Sequence, residues 1–137
     1  MTRHRRKGFT LIEVLLVLVI LVILGSLVGI QIRSAHKKGL ANAARSQIGL
    51  FKTPLESFAL DMGDFPSASA GLQALVNSSG DSQSSKWQGP YMDKVPLDPW
   101  GREYQFANPG RHNPNSYDIW SVGPDGAEGT DDDIGNW

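Results

Sequence analysis

The chain has 137 residues, with 13 Lys and Arg against 14 Asp and Glu, and no cysteine. That length predicts one domain, and the missing cysteines exclude disulfides, which leaves a metal or assembly as support for a small core. The near-neutral total hides an asymmetry: Arg3, Arg5, Arg6 and Lys7 crowd the first eight residues, so the rest carries 9 basic against 14 acidic residues, and with no basic stripe nothing argues for nucleic-acid binding.

Residues 1–8 form a basic leader, and residues 9–30 form an apolar helix candidate. Every residue from Val14 to Leu24 is apolar, and no charge falls between Glu13 and Arg33. A helix of that length spans roughly 33 Å, enough to cross a bilayer. The basic cluster before it predicts a cytoplasmic N-terminus and an external remainder. Beyond Arg33, Leu40, Ala44, Ile48, Phe51, Leu55, Phe58 and Met62 recur every three or four residues, the stripe of an amphipathic helix. One long helix over about 9–62 follows. Pro54 opposes it, at roughly 3 kcal/mol in a helix interior. Because the stripe keeps its phase through Phe58, a kink near residues 49–54 is expected rather than a break. Gly63 suits a C-terminal cap, and Pro66 prevents resumption.

Leu72, Leu75 and Val76 share one face of a short helix at about 69–76. Residues 77–85, rich in Ser and Gly, read as an exposed loop. Gly89-Pro90, Pro96, Asp98-Pro99 and Gly101 mark turns, with Trp100 as a buried anchor. Residues 102–107 and 117–122 read as strands, and 123–137 as a loop dense in Gly and Asp. No internal repeat is present, and the scattered His4, His36 and His112 form no catalytic constellation.

Two motifs carry chemistry. The first is Lys7-Gly8-Phe9-Thr10-Leu11-Ile12-Glu13, which sets a carboxylate at the edge of the apolar run. An unpaired buried charge costs several kcal/mol, so Glu13 needs a partner or an interfacial position. On the residues alone, an ordinary secretory signal peptide competes with an anchor helix that continues past Arg33. The second motif is the tail from Asp118 to Trp137, with Asp125, Asp131, Asp132 and Asp133 among glycines. Hard cations such as Ca²⁺ take six to eight oxygens from carboxylates, hydroxyls and carbonyls in flexible loops. A solvated acidic tail is the competing reading, although Ile134 and Trp137 beyond the acids predict that the loop returns to the core.

The first motif resembles the class III signal of the type IV pilin superfamily. That resemblance implies cleavage by a prepilin peptidase after Gly8, N-methylation of Phe9, and pairing of Glu13 with the terminal amine of a neighbouring subunit during assembly. Two charges buried in an apolar filament core are tolerable only as a pair. Many relatives carry proline where this chain has Ile30, so a proline-induced bend is not expected here; Gly25 and Gly29 remain as sites of bending or close helix approach.

The strings Leu60-Asp61-Met62-Gly63-Asp64-Phe65-Pro66, Gly71-Leu72-Gln73-Ala74-Leu75, Pro96-Leu97-Asp98-Pro99-Trp100-Gly101 and the tail from Ser121 are similar to the head of major pseudopilins of type II secretion. The resemblance implies an α+β, type IV pilin-like fold, with a long N-terminal helix packed on a small antiparallel sheet. It implies a leader at 1–8, a transmembrane and filament-core helix at 9–32 and a periplasmic head at 33–137. It implies one structural Ca²⁺ in the tail, held by the Val122 carbonyl, Asp125, and Asp132 or Asp133, with Ala127 and Thr130 as further donors. The implied role is a non-enzymatic subunit of a periplasmic filament anchored first in the inner membrane. Its partners are copies of itself, minor pseudopilins, the prepilin peptidase and an inner-membrane assembly platform. A type IV pilin or minor pseudopilin is the alternative within the superfamily. Most such pilins carry a C-terminal cysteine pair, absent here, and minor pseudopilins usually lack this acidic loop. A signal-anchored periplasmic enzyme would need a polar catalytic cluster that the sequence does not offer.

Overall fold

The computed structural model describes residues 8–78 and 85–137. The basic leader up to Lys7 and the middle of the Ser/Gly-rich loop lie outside the described residues. Two compact units make up the chain, one through Lys38 and one from Gly39 to Trp137.

Helix α1 spans Leu11–Leu50 and helix α2 spans Lys52–Met62. The expected single helix over 9–62 is thus helical for nearly all its length, with an interruption at Phe51. Proline explains where the interruption falls. The Phe51 amide reaches back to the Ile48 carbonyl at 3.2 Å, a tightened turn that ends α1. Pro54 then occupies the first turn of α2, where its missing N–H has no intrahelical role to fill. At the other end Gly63 caps α2 as expected, its amide donating to the Ala59 carbonyl at 2.8 Å.

The first unit buries none of its described large apolar side chains. Those from Phe9 to Ile32 are 46–86 % exposed. This is the one helix among the described residues long and apolar enough to cross a membrane, with a mean hydropathy of 3.1 in its most apolar window. Ser26, the lone hydroxyl between Leu11 and Ile32, donates to the Val22 carbonyl at 2.8 Å and so needs no external partner. The backbone stays helical through Gly25, Gly29 and Ile30.

The second unit holds the core. Ala44, Ile48, Phe51, Leu55 and Phe58 of the predicted stripe are all buried, with Leu40 and Met62 half-buried at its ends. They pack with Leu72, Ala74 and Leu75 of a 3₁₀ helix, Gly71–Leu75, that is shorter and tighter than the predicted 69–76 segment. They also meet Tyr104, Ile119 and Ile134 from the sheet side. Phe51 places its edge on Tyr104 at 5.4 Å, and Phe58 meets Tyr91 at 5.6 Å, both T-shaped as ring quadrupoles prefer. The Tyr104 hydroxyl donates to Gln47 on α1. Burial, with Asp98 nearby, pushes this phenol up to about 12.

The sheet has three antiparallel strands in the order β1-β2-β3. Strand β1 is Gln105–Ala107, β2 is Asp118–Ser121 and β3 is Ile134–Gly135. Phe106 pairs with Ile119, and Ser121 with Ile134. The two predicted strands are present but shorter than the 102–107 and 117–122 segments. Arg102 instead closes a turn built on the buried Asp98, whose carboxylate accepts from the Trp100 and Arg102 amides at 3.0 and 2.8 Å, and Glu103 forms an isolated antiparallel bridge with Leu97. Asp98, rather than the half-buried Trp100, is therefore the buried anchor of that turn. Strand β3 lies inside the segment read as a loop. Two residues are too few to carry a strand pattern, and only pairing with β2 creates it.

Candidate functional site

Two sites answer to the two motifs, one in each unit. The first opens α1. Thr10 precedes the first helical residue, and its hydroxyl accepts the Glu13 amide at 3.3 Å. In return the Glu13 carboxylate accepts the Thr10 amide, at a long 3.5 Å. This reciprocal arrangement is a capping box, which satisfies backbone donors that no preceding turn can satisfy. Glu13, expected as an assembly group, here caps its own helix. Thr10 is a residue that sequence reasoning missed, although the Thr-x-x-Glu spacing states the cap directly. Phe9 is 85 % exposed just before the cap, and a side chain added at Gly8 would meet nothing within 4 Å. The N-terminal side of the Gly8–Phe9 junction lies outside the described residues.

The second site is the loop between β2 and β3. Its entrance is fixed by a hydrogen-bonded chain. Ser121 is fully buried and donates to the second oxygen of Asp98. The Ser121 hydroxyl also accepts the Gly123 amide at 3.1 Å. Gly123 adopts a positive φ of 69°, and a side chain there would collide with the Asp132 carbonyl. Only glycine lets the two ends of the loop meet this closely.

Within the loop, Asp125 accepts the Ala127 amide at 3.0 Å, and Asp133 accepts the Gly129 amide at 2.7 Å. The Thr130 hydroxyl donates to the Ala127 carbonyl at 3.3 Å. The Ala127 hydrogen bond is the chief reason the Asp125 carboxyl lies below the ordinary carboxylate range. Asp125 and Asp132 are exposed, whereas Val122 is buried. Among the described residues, no three His, Cys, Asp or Glu side chains stand together as a metal-binding group. The geometry does leave one carboxylate oxygen, Oδ1 of Asp133, buried and without a hydrogen-bond partner. Ile134 is buried beyond it, and Trp137 stacks on His112 with ring centroids 3.7 Å apart.

Sequence reasoning also missed Asp118. It is 2 % exposed on β2 and accepts from the His112 amide at 2.8 Å and from the Asn113 amide and side chain at 3.0 and 2.9 Å. Burial alone would raise this carboxyl, but the His112 and Asn113 hydrogen bonds outweigh it and hold it below the ordinary range. No local pattern announces such a residue, because its donors come from a loop several residues away.

Comparison with known proteins covers both segments of the chain. Residues 3–29 match the prokaryotic N-terminal methylation motif, and residues 31–137 match the type II secretion system (T2SS) protein G family. The type II secretion system core protein G of Pseudomonas aeruginosa is 41 % identical over 142 residues, covering 100 % of this chain and 99 % of that protein. Its counterpart from Aeromonas hydrophila is 42 % identical over 139 residues, covering 100 % and 96 %. A crystal structure of the major pseudopilin from the type 2 secretion system of enterohaemorrhagic Escherichia coli is also similar. It is 34 % identical with a TM-score of 0.69, over 76 % of this chain and 87 % of that one. With a matching head, a matching N-terminal motif and a matching fold, this chain belongs to the type II secretion system protein G family, the major pseudopilins.

Proposed function

We propose that the chain is the repeating, non-enzymatic subunit of a type II secretion pseudopilus, a periplasmic filament that helps export folded proteins across the outer membrane. The observation that carries this reading is the first unit. An apolar helix exposed along its described length, opening on a lone carboxylate, has to find lipid first and other copies of itself later.

The subunit starts in the inner membrane with residues 1–8 cytoplasmic, residues 9–32 in the bilayer and the head, 33–137, in the periplasm. A prepilin peptidase cuts between Gly8 and Phe9, and Phe9 is N-methylated. Copies then leave the bilayer at an inner-membrane assembly platform and join the filament alongside minor pseudopilins. Glu13 meets the new terminal amine of a neighbouring copy, exchanging its long contact to Thr10 for a charged one. Buried in an apolar filament core, that pair fixes register, since a subunit out of register leaves two unpaired charges.

The head holds a structural Ca²⁺ in the loop after β2. The donors available are all hard oxygens: the Val122 carbonyl, Asp125, and Asp132 or Asp133. The buried, unpartnered Oδ1 of Asp133 is the particular support, because a native fold rarely leaves such an atom without a ligand. A divalent cation there would offset the repulsion among the loop acids and couple binding to folding.

The test is mass spectrometry of the N-terminus together with imaging of filaments when the other assembly components are present. The parent should yield a methylated Phe9 terminus and filaments. Gly8→Leu should keep the leader, and Glu13→Ala should be cleaved yet assemble poorly. A Gly8→Leu product with the parent's mature mass overturns the assignment.

A further inference from the structure

The loop after β2 already contains a cation supplied by the chain. Residues 123–137 hold Asp125, Glu128, Asp131, Asp132 and Asp133 and no basic residue, and no Lys or Arg occurs after Arg111. Arg102, from the turn that precedes β1, reaches into this acidic segment. Its Nη1 donates to the Gly123 carbonyl at 2.6 Å. Its Nη2 lies 2.7 Å from where a side chain on Gly126 would begin, so the guanidinium rests directly on the Gly126 backbone. Gly126 has a positive φ of 71°, and its lack of a side chain is what admits the guanidinium.

The other end of Arg102 is equally fixed. Its amide donates to Asp98 at 2.8 Å, and its carbonyl accepts the Asp98 amide at 2.7 Å. Asp98 in turn accepts from Ser121, whose hydroxyl accepts the Gly123 amide. Arg102 therefore grips the loop twice, through its side chain at Gly123 and Gly126 and through its backbone by way of Asp98 and Ser121. A guanidinium keeps its charge at every accessible pH and holds its donors in a fixed plane, which suits it to this position better than lysine.

We propose that Arg102 is a positioning residue for the cation loop. It is a built-in positive charge that keeps the segment 123–133 closed from inside the chain and lowers the dependence of that closure on bound Ca²⁺. The inference rests on the calcium reading above for its second half only. The grip itself stands on the Arg102 contacts.

The experiment compares the full chain with Arg102→Met and Arg102→Lys in detergent, by hydrogen exchange of the loop amides and by thermal melts, with chelator and with Ca²⁺. Methionine keeps the packing and removes the charge and donors. In chelator, loop exchange in Arg102→Met should speed up on the order of tenfold over the parent, as expected for losing a hydrogen bond from a charged donor. Exchange of the Phe51 and Leu55 amides should stay unchanged. Ca²⁺ should restore loop protection, and because an ion that binds only the closed loop has an apparent affinity that falls with the closed fraction, the rise in Tm on adding Ca²⁺ should be smaller in Arg102→Met than in the parent, with Arg102→Lys between them. Unchanged loop exchange in chelator overturns the inference. So does a loss of protection that Ca²⁺ fails to restore while the parent responds to Ca²⁺, since Arg102 is then a packing contact unrelated to the metal. A parent that shows no response to Ca²⁺ removes the calcium reading instead, and the faster exchange in chelator then decides the grip alone.

Discussion

The apolar residues before Arg33 and those after Leu40 are chemically alike, and the protein uses them in opposite ways. From Phe9 to Ile32 the described large apolar side chains stay exposed, whereas Ala44, Phe51 and Leu55 are 0 % exposed. The difference lies in arrangement. An all-round apolar helix has no polar face to offer water, so it can be satisfied only by lipid or by other copies. A single stripe fits one small sheet and leaves Arg45, Lys52 and Glu56 outside, where Lys52 and Glu56 face each other at 3.9 Å. Stability of the second unit is therefore internal, while the first unit derives its stability from its surroundings.

Cutting a hole in the stripe should sharpen that contrast most. Phe51→Ala removes a fully buried ring and should cost about 4 kcal/mol. A thermal melt of the full chain in detergent should show it as a large fall in Tm. Leu18→Ser on the exposed run should leave the same Tm unchanged within about 0.5 kcal/mol and reduce filament yield instead. Equal effects on Tm from the two substitutions would erase the distinction.

Removal of the proposed Ca²⁺ ranks next. At a hundredfold excess over Kd, a bound ion adds about 2.7 kcal/mol, so chelation should lower Tm and increase proteolysis between Gly123 and Ile134. Asp125→Ala should reproduce both effects at any Ca²⁺ level, with cleavage at Gly8 intact.

Asp118 tests the internal side of the comparison by pH. Its folded carboxyl titrates below its ordinary value, so its stabilisation is complete above the ordinary carboxylate range and is lost as pH falls through the folded value. Asp118→Asn should cost roughly 2 kcal/mol near neutrality, since three N–H donors lose a charged acceptor. It should also flatten the acid limb of the stability curve, which a pH series of melts measures. A limb as steep as the parent's would assign the acid sensitivity to other carboxylates.

The smallest expected effect is at the first turn of α1. Thr10→Ala removes the side-chain cap at about 1 kcal/mol, an effect confined to the first helical turn. Helicity of the first turn, read by amide exchange in micelles, should fall while the head Tm stays constant.

Much of this protein is local and so is legible in its residues. The apolar run, the stripe from Leu40 to Met62 and the Gly63 cap all act within one turn or one helix face, and the residues that match the N-terminal methylation motif are contiguous in sequence. The Thr10–Glu13 capping box belongs to the same class. Pro54 is half legible: it announces a disturbance nearby, but the interruption falls at Phe51 because a helix restarted there accepts proline in its first turn. The rest depends on what long-range folding brings together. Strand β3 exists because β2 pairs with it, and Asp118 is held down by donors of the 112–113 loop. Asp98 gathers a turn, β2 and the loop entrance around one carboxylate. Arg102 finds Gly123 across 21 residues of sequence. Periodicity records which face of an element is apolar, but it carries no record of which distant donor will meet a given acceptor. That is decided only when the chain closes and each buried polar atom must find a partner.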